Sequence, residues 1–151
     1  MRHLLLMLLL LLPSAVRAQG DELITIRSAY SASVTVQRLK EAIVANGFTI
    51  LATIDYAAYA AEMGVKISAR TTISFGWMEG WTKPIIERPT IAIEAPNRVL
   101  VWQDDEGVWV TRDTNKYFMR NVIRRHEAHV VEGKVRELDA KVAAMIESLT
   151  R

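Results

Sequence analysis

The chain has 151 residues, of which 50% are hydrophobic and 24% charged, and these fractions are typical of a single globular domain. It contains no cysteine, which excludes disulfides, thiolate metal sites and cysteine nucleophiles. The full chain carries 19 basic and 17 acidic residues. The resulting net charge of +2 depends on the N-terminal segment, which contains two of the basic residues.

The N-terminus is typical of a secretory signal peptide. Arg2 precedes an apolar run made mostly of leucine, and small residues follow up to Ala18. The apolar run is much shorter than the ~20 residues that a membrane-spanning helix needs. We therefore predict a signal peptide over residues 1–18, cleaved after Ala18, and a periplasmic or secreted protein with no stable membrane anchor. An uncleaved anchor is the alternative.

Removal of this leader changes the charge balance. The leader contains Arg2 and Arg17 and no acidic residue, so the remaining chain has equal numbers of basic and acidic residues. A nucleic-acid partner would need a basic surface that binds phosphates. We therefore expect no nucleic-acid binding.

The first half of the remaining chain alternates between strand and helix patterns. Alternating branched residues predict a strand over 23–27, and a second alternating run predicts a strand over 48–55. Between them, apolar residues recur at helical spacing, after a capping serine at Ser31 or Ser33. Gly47 ends this helix because glycine tolerates the left-handed conformation.

The middle of the chain is less regular. The alanine-rich segment 56–64 predicts a short helix, and residues 71–75 predict a strand. Residues 77–89 contain Gly and two Pro, which predict an irregular loop. Residues 90–94 fit either a strand or one helical turn.

A hairpin and two helices follow. Residues 98–103 and 108–112 predict two strands joined by an acidic turn that ends in Gly107. A short helix is expected from Asp113 or Thr114, and an apolar stripe predicts a long amphipathic helix over about 131–149. The order of elements predicts one α+β domain over 19–151, with a mostly antiparallel sheet and helices on one face. The long helix would pack across the sheet or bind a second copy of itself.

Four segments together resemble the family called "domain of unknown function 302". They are 31–49, ATIDYAA (52–58), TTISFG (71–76) and PNRVLVWQD (96–104), and the resemblance covers about residues 24–123. It implies a fold similar to the TATA-binding-protein arrangement, β-α-β(4)-α, often as a dimer, and no established activity. Tyr56 stands where the family has His, and Trp77 and Met78 replace its Asn-Pro.

Candidate ligand-binding residues gather near the predicted loops. Aromatic side chains on loops line pockets or interfaces, although they can also cover the core of a small domain. Asp55 lies where a pocket acid or a helix cap would lie. The candidate residues are Asp55, Tyr56, Tyr59, Phe75, Gly76, Trp77 and Trp81.

The sequence favours no cofactor or metal. His126 and His129 are the closest pair of histidines, but zinc needs three or four ligands and no further ligand cluster is evident. Phosphate-binding, dinucleotide-binding and nucleophile-elbow motifs are absent.

Three hypotheses for function follow. The first is an exported, non-catalytic binding domain for a small apolar or amphipathic ligand, held by the loop aromatics. The second is a homodimeric interaction or assembly protein. The third is an enzyme that uses Asp55 with a tyrosine in acid–base chemistry.

Overall fold

The computed structural model describes residues 16–19, 22–130 and 132–149. Its strands form one antiparallel sheet, as the sequence predicts. The strands are β1 (Val16–Gln19), β2 (Leu23–Arg27), β3 (Thr49–Asp55), β4 (Arg70–Gly76), β5 (Asn97–Asp104) and β6 (Gly107–Asp113). Their spatial order is β1-β2-β6-β5-β4-β3, and every neighbouring pair is antiparallel.

The helical segments connect and cover these strands. They are α1 (Ala32–Ala45), α2 (Tyr56–Glu62), α3 (Met78–Glu87), a 3-10 helix (Pro89–Ile93), α4 (Asn115–Tyr117), a π-helical segment (Phe118–Arg124) and α5 (Glu132–Glu147). The expected order β-α-β(4)-α is preserved by β2, α1, β3 to β6 and α5. The helical turn expected from 113–122 is present, and its end widens into the π-helical segment.

The main core lies between one face of the sheet and the two long helices, α1 and α5. Alternation along β4, β5 and β6 turns one side of each strand toward those helices. The fully buried core residues include Leu39, Ile43, Ile73, Phe75, Val99, Val101, Val110 and Ile146. The apolar stripe of α5 is used here, because Val142, Met145 and Leu149 are also buried in this cluster. Within the described part of the helix, the stripe packs across the sheet rather than facing solvent.

A different network covers the opposite face of the sheet. Trp102 and Trp109 lie directly opposite each other on β5 and β6 and stack at 6.0 Å between ring centroids. Trp102 donates its indole N–H to Thr111 Oγ1 at 2.8 Å, and Trp109 donates to Asp104 Oδ1 at 2.8 Å. These bonds satisfy the polar ends of two large rings and fix the hairpin register.

The prediction of an irregular loop over 77–89 is wrong, because α3 occupies most of this segment. The helix tolerates Pro84 and Gly80 because one of its faces packs against other residues. On this face Trp81 belongs to a second apolar cluster with Ile91, Val122 and Ile123, and Ile85 packs against that cluster. Gly80 has a specific role, since a Cβ there would lie 2.4 Å from the Trp77 ring. Residues 90–94, for which two structures were possible, are largely a 3-10 turn.

The predicted signal peptide lies only partly within the described residues. Residues 1–15 lie outside them, as does Val131 at the start of the predicted C-terminal helix. Strand β1 pairs with β2 from Val16↔Ile26 to Gln19↔Leu23. Cleavage after Ala18 would remove three of the four β1 residues, so β2 would become an edge strand.

The side chain of Asp55 caps the N-terminus of α2. Its Oδ1 accepts hydrogen bonds from the backbone N–H groups of Ala57 (3.0 Å) and Ala58 (3.1 Å). Replacement of such a cap by alanine costs about 0.5–2 kcal/mol. We expect Asp55→Ala to lower the free energy of unfolding by about 1 kcal/mol in urea titrations, and Asp55→Asn to retain most of it. Equal losses in the two variants would contradict the capping role.

Candidate functional site

Two cavities lie on either side of a shared apolar wall made by Phe118, Val135 and Leu138. The larger cavity has a volume of about 590 Å³ and opens between α3, the π-helical segment and α5. Its lining residues are Trp77, Glu79, Gly80, Trp81, Lys83, Pro84, Glu87, Phe118, Ile123, His129, Val130, Lys134, Val135 and Leu138. Sequence reasoning identified two of these as ligand-binding candidates, Trp77 and Trp81.

The aromatic residues of the larger cavity differ in exposure. Trp81 is only 7% exposed and contacts Phe118 with 5.6 Å between ring centroids, so these two rings form a fixed base. Trp77 is 46% exposed and its ring lies against the backbone at Gly80. The cavity thus combines a rigid apolar base with one large ring that is half open to solvent.

Charged groups of both signs line the larger cavity. Lys83 and Glu87 pair across one helical turn at 3.7 Å, and both are substantially exposed. Glu79 and Lys134 add one charge of each sign, and His129 adds an imidazole. The lining is apolar at its base and electrostatically mixed, which suits an amphipathic molecule better than a strongly charged one.

The remaining candidates lie elsewhere. Asp55, Tyr56 and Tyr59 line neither cavity; the two tyrosines are 45% and 57% exposed on α2. Phe75 is 1% exposed and packs edge-on against Phe48 in the main core. Gly76 lies beneath Trp81, where a Cβ would be 3.5 Å from the indole.

The two histidines are separated by their environments. His126 Nδ1 is 2.9 Å from Thr90 Oγ1, whereas His129 lines the larger cavity. No group of three or more His, Cys, Asp or Glu side chains suited to a metal occurs among the described residues.

The smaller cavity has a volume of about 50 Å³, and nine of its fifteen lining residues have polar or charged side chains. Strands β5 and β6, the start of α4 and one face of α5 surround it. Its lining residues are Glu94, Pro96, Asn97, Arg98, Arg112, Asp113, Thr114, Asn115, Tyr117, Phe118, Val122, Val135, Leu138, Asp139 and Val142.

Arg112 is the central polar residue of the smaller cavity. It is 8% exposed, on the helix-facing side of β6 and opposite Val99. Its Nη1 forms an ion pair with Asp139 on α5 and donates to the carbonyl of Asp113 at 2.9 Å. Its Nε has no partner within the described part of the chain. A buried donor left unpaired costs about 1–3 kcal/mol.

Two asparagines beside Arg112 repeat this pattern. Asn97 Nδ2 and Asn115 Oδ1 are buried, and neither has a hydrogen-bond partner among the residues described. A buried donor or acceptor without a hydrogen bond lowers the stability of the fold, so these atoms are places of weakness in this part of the structure.

Sequence reasoning missed this polar cluster, although a signal for it exists. Arg112 continues the buried alternation of Val108 and Val110 along β6. Asp139 lies on the apolar stripe of α5, four residues after Val135 and three before Val142. A basic residue on the buried side of β6 and an acidic residue on the apolar stripe of α5 indicate an ion pair between these two elements.

The carboxyl group of Asp113 should make the stability of the fold depend on pH. Burial raises the pKa of its carboxyl above 3.8, and Glu22 and Glu94 act in the same direction, while Arg98 and Arg112 oppose them. With a raised folded-state pKa, the folded protein loses stability as pH rises above 3.8. Asp113→Asn should therefore increase the free energy of unfolding at pH 7, and the gain should shrink toward pH 4.

Denaturant titrations at several pH values measure this gain. Asp105→Asn, which removes an exposed carboxylate from the hairpin turn, is the matched control. A gain of constant size at every pH would contradict an origin in ionisation.

Comparisons with known proteins give a fold relationship and a partial sequence relationship. The crystal structure of an uncharacterized conserved DUF302 protein from Bacillus stearothermophilus superposes with a TM-score of 0.71, covering 86% of this chain and 99% of that chain, at 12% identity. Two Brucella proteins named fluoride-specific ion channel FluC 1, from Brucella suis and Brucella abortus, are 30% identical over 90 residues.

Those 90 residues are 59% of this chain but only 35% and 33% of the two Brucella proteins, so the chain spans about a third of their length. Among the described residues, no helix has the length and apolar character needed to cross a membrane. A family model for a domain of unknown function matches residues 24–149, which extends the resemblance through α5. This chain therefore belongs to the DUF302 family.

Proposed function

We propose that this protein is a small binding domain whose larger cavity takes an amphipathic ligand. The observation that carries the proposal is the cavity itself. Its volume of about 590 Å³ lies within the ~300–1,000 Å³ of small-molecule sites. Three aromatic rings and several aliphatic side chains line it, with charged groups of both signs beside them.

The arrangement of the rings supports a preformed site. Trp81 and Phe118 are held by the second apolar cluster, so a ligand does not have to order them. Trp77 is the ring that a ligand would cover, because about half of its surface faces solvent. Covering apolar surface of this kind contributes roughly 25 cal/mol for each Å² removed from water.

Several features support a non-catalytic role. The backbone N–H groups of Ala57 and Ala58 both donate to Asp55 Oδ1, so this surface carboxylate acts as a helix cap. It lines neither cavity and has no tyrosine partner there. Acid–base chemistry at Asp55 is therefore not proposed.

The setting of this domain is also a proposal. The N-terminal pattern supports export to the periplasm or the exterior, with cleavage after Ala18. N-terminal sequencing of the protein from its own host should then begin at Gln19. The Brucella relatives are about three times as long as the matched segment, which fits a domain that also occurs as a module in larger proteins.

The first experiment is native mass spectrometry of protein purified from its own host. We expect a reproducible mass excess that disappears on denaturation, because unfolding removes the cavity that holds the ligand. Fluorescence titration with 1-anilinonaphthalene-8-sulfonate then reports on the cavity, because this probe has an apolar body and one charged group.

Trp77→Ala tests the site directly. The variant should fold normally, because the ring is half exposed, and should bind the probe about 10-fold more weakly. Gly80→Ala keeps the ring but displaces it, since the added Cβ would clash with it at 2.4 Å, so binding should weaken there too. Tyr59→Ala removes a comparably exposed aromatic residue outside the cavity and serves as the control. Equal probe affinity in all four proteins would overturn the proposal.

Self-association is a second candidate function, and one observation favours it. Strand β3 is at one edge of the sheet, and exposed apolar side chains surround it and α2: Leu51, Tyr56, Tyr59, Met63 and Val65. Exposed apolar side chains that are close in sequence and lie beside an edge strand are a common feature of protein interfaces.

Sedimentation velocity over a wide concentration range tests this candidate. A mass that rises with concentration in the wild type and returns to one chain in Tyr59→Lys would support a homodimer through this patch. Lys40→Glu on α1 is a control for a change of charge alone. A single-chain mass at every concentration would exclude self-association of the purified domain.

A further inference from the structure

We propose that the edge of β2 that faces β1 joins two copies of the mature form, residues 19–151, into one sheet that runs through both. The inference rests on the proposed cleavage after Ala18, which removes Val16, Arg17 and Ala18 from β1. It concerns the opposite edge of the sheet from the exposed apolar residues around β3. It does not depend on the ligand of the larger cavity.

The backbone of β2 has a row of hydrogen-bonding groups that point toward β1. The carbonyl of Glu22 accepts from the N–H of Thr114, just after β6, and the N–H of Ser28 donates to the first turn of β6 at Val108, both at 2.8 Å. Successive residues of a strand point their N–H and C=O groups to alternate sides, so the even-numbered residues of β2 bond to β6. The residues that point toward β1 are Leu23, Thr25 and Arg27.

Cleavage leaves this row without its neighbouring strand. In the uncleaved chain, β1 pairs with β2 from Val16↔Ile26 to Gln19↔Leu23. Only Gln19 remains of β1 in the mature form, and a single pair at the end of the strand leaves the rest of the edge open. An open edge is the part of a sheet that pairs most readily with another strand.

A second copy of β2 fits this edge because the sequence Ile24-Thr25-Ile26 reads the same in both directions. A two-fold axis requires a surface that is complementary to itself. With the axis through Thr25, antiparallel pairing would place Thr25 opposite Thr25, Ile24 opposite Ile26 and Leu23 opposite Arg27 of the other copy. Three pairs of residues would then exchange two backbone hydrogen bonds each.

The side chains of β2 also suit this pairing. Ile26 packs against the main core, so isoleucines from both copies would extend one apolar layer. On the other face Thr25 is fully buried and its hydroxyl is 2.8 Å from Thr111 Oγ1, and threonine pairs across strands are favourable. The two exposed Arg27 side chains would each lie opposite Leu23, about 13 Å apart along the strands, so their repulsion is largely screened.

Sedimentation velocity of the mature form between ~1 μM and ~1 mM tests the inference. We expect a mass that rises from one chain to two. A form that begins at Val16 keeps β1 and should remain a single chain, because its own strand occupies the edge. The same mass in both forms would contradict the role of this edge.

A proline variant tests the backbone groups directly. Leu23→Pro in the mature form removes an N–H that points away from β6, at the first residue of the strand, where proline is tolerated. It should weaken the dimer by about 10-fold. Leu23→Ala, which shortens the side chain but keeps the N–H, is the matched control and should keep most of the affinity.

Amide hydrogen exchange followed by NMR locates the contact. The N–H groups of Leu23, Thr25 and Arg27 should exchange about 10-fold more slowly in the dimer than in the single chain. Those of Ile24 and Ile26 bond to β6 and should be protected at every concentration. A dimer through the residues around β3 would leave the first three groups unprotected and would be lost in Tyr59→Lys.

Three results would overturn the inference: a mature form that does not fold, one that remains a single chain at every concentration, and a dimer in which these three groups exchange as in the single chain. The cleavage is tested separately. Protein from its own host that begins at Met1 would refute the cleavage, while the form that begins at Gln19 still tests whether the edge binds a second copy.

Discussion

The ion pair between Arg112 and Asp139 is the interaction on which the rest of the site depends. It joins the helix-facing side of β6 to α5, and α5 supplies residues to both cavities. Arg112 is 8% exposed and Asp139 is 32% exposed, so removal of Asp139 would leave a largely buried positive charge without its carboxylate partner. The charge of Arg112 is therefore tolerated on the inner side of β6 because α5 crosses the sheet there and supplies Asp139.

Glycine and proline, which usually interrupt helices, instead shape the larger cavity. Gly80 allows the Trp77 ring to lie on the backbone of α3, and Pro84 is part of the same lining. Burial of Trp81 among Ile91, Val122 and Ile123 compensates for the weak intrinsic helix propensity of this segment. The π-helical segment contributes Phe118 and Ile123 to the same place, and such segments are frequent at functional sites.

The sequence predicted strands β2 to β6, the hairpin, α1, α2 and α5, because periodicity and capping act within a few residues of each other. It did not predict β1, since residues 16–18 were assigned to the signal peptide. It did not predict α3, because the compensating contacts come from residues 91–123, far along the chain. For the same reason it identified Trp77 and Trp81 but grouped them with Tyr56 and Tyr59, which line neither cavity. Local patterns mark Arg112 and Asp139 as charged residues on the inner sides of β6 and α5, but only the contact between these two distant elements pairs them.

The shared wall determines which substitutions can separate the two cavities. Phe118, Val135 and Leu138 contact both, so a smaller side chain at any of them changes the volume of both at once. Trp77 belongs to the larger cavity alone, and Asn115 to the smaller one alone.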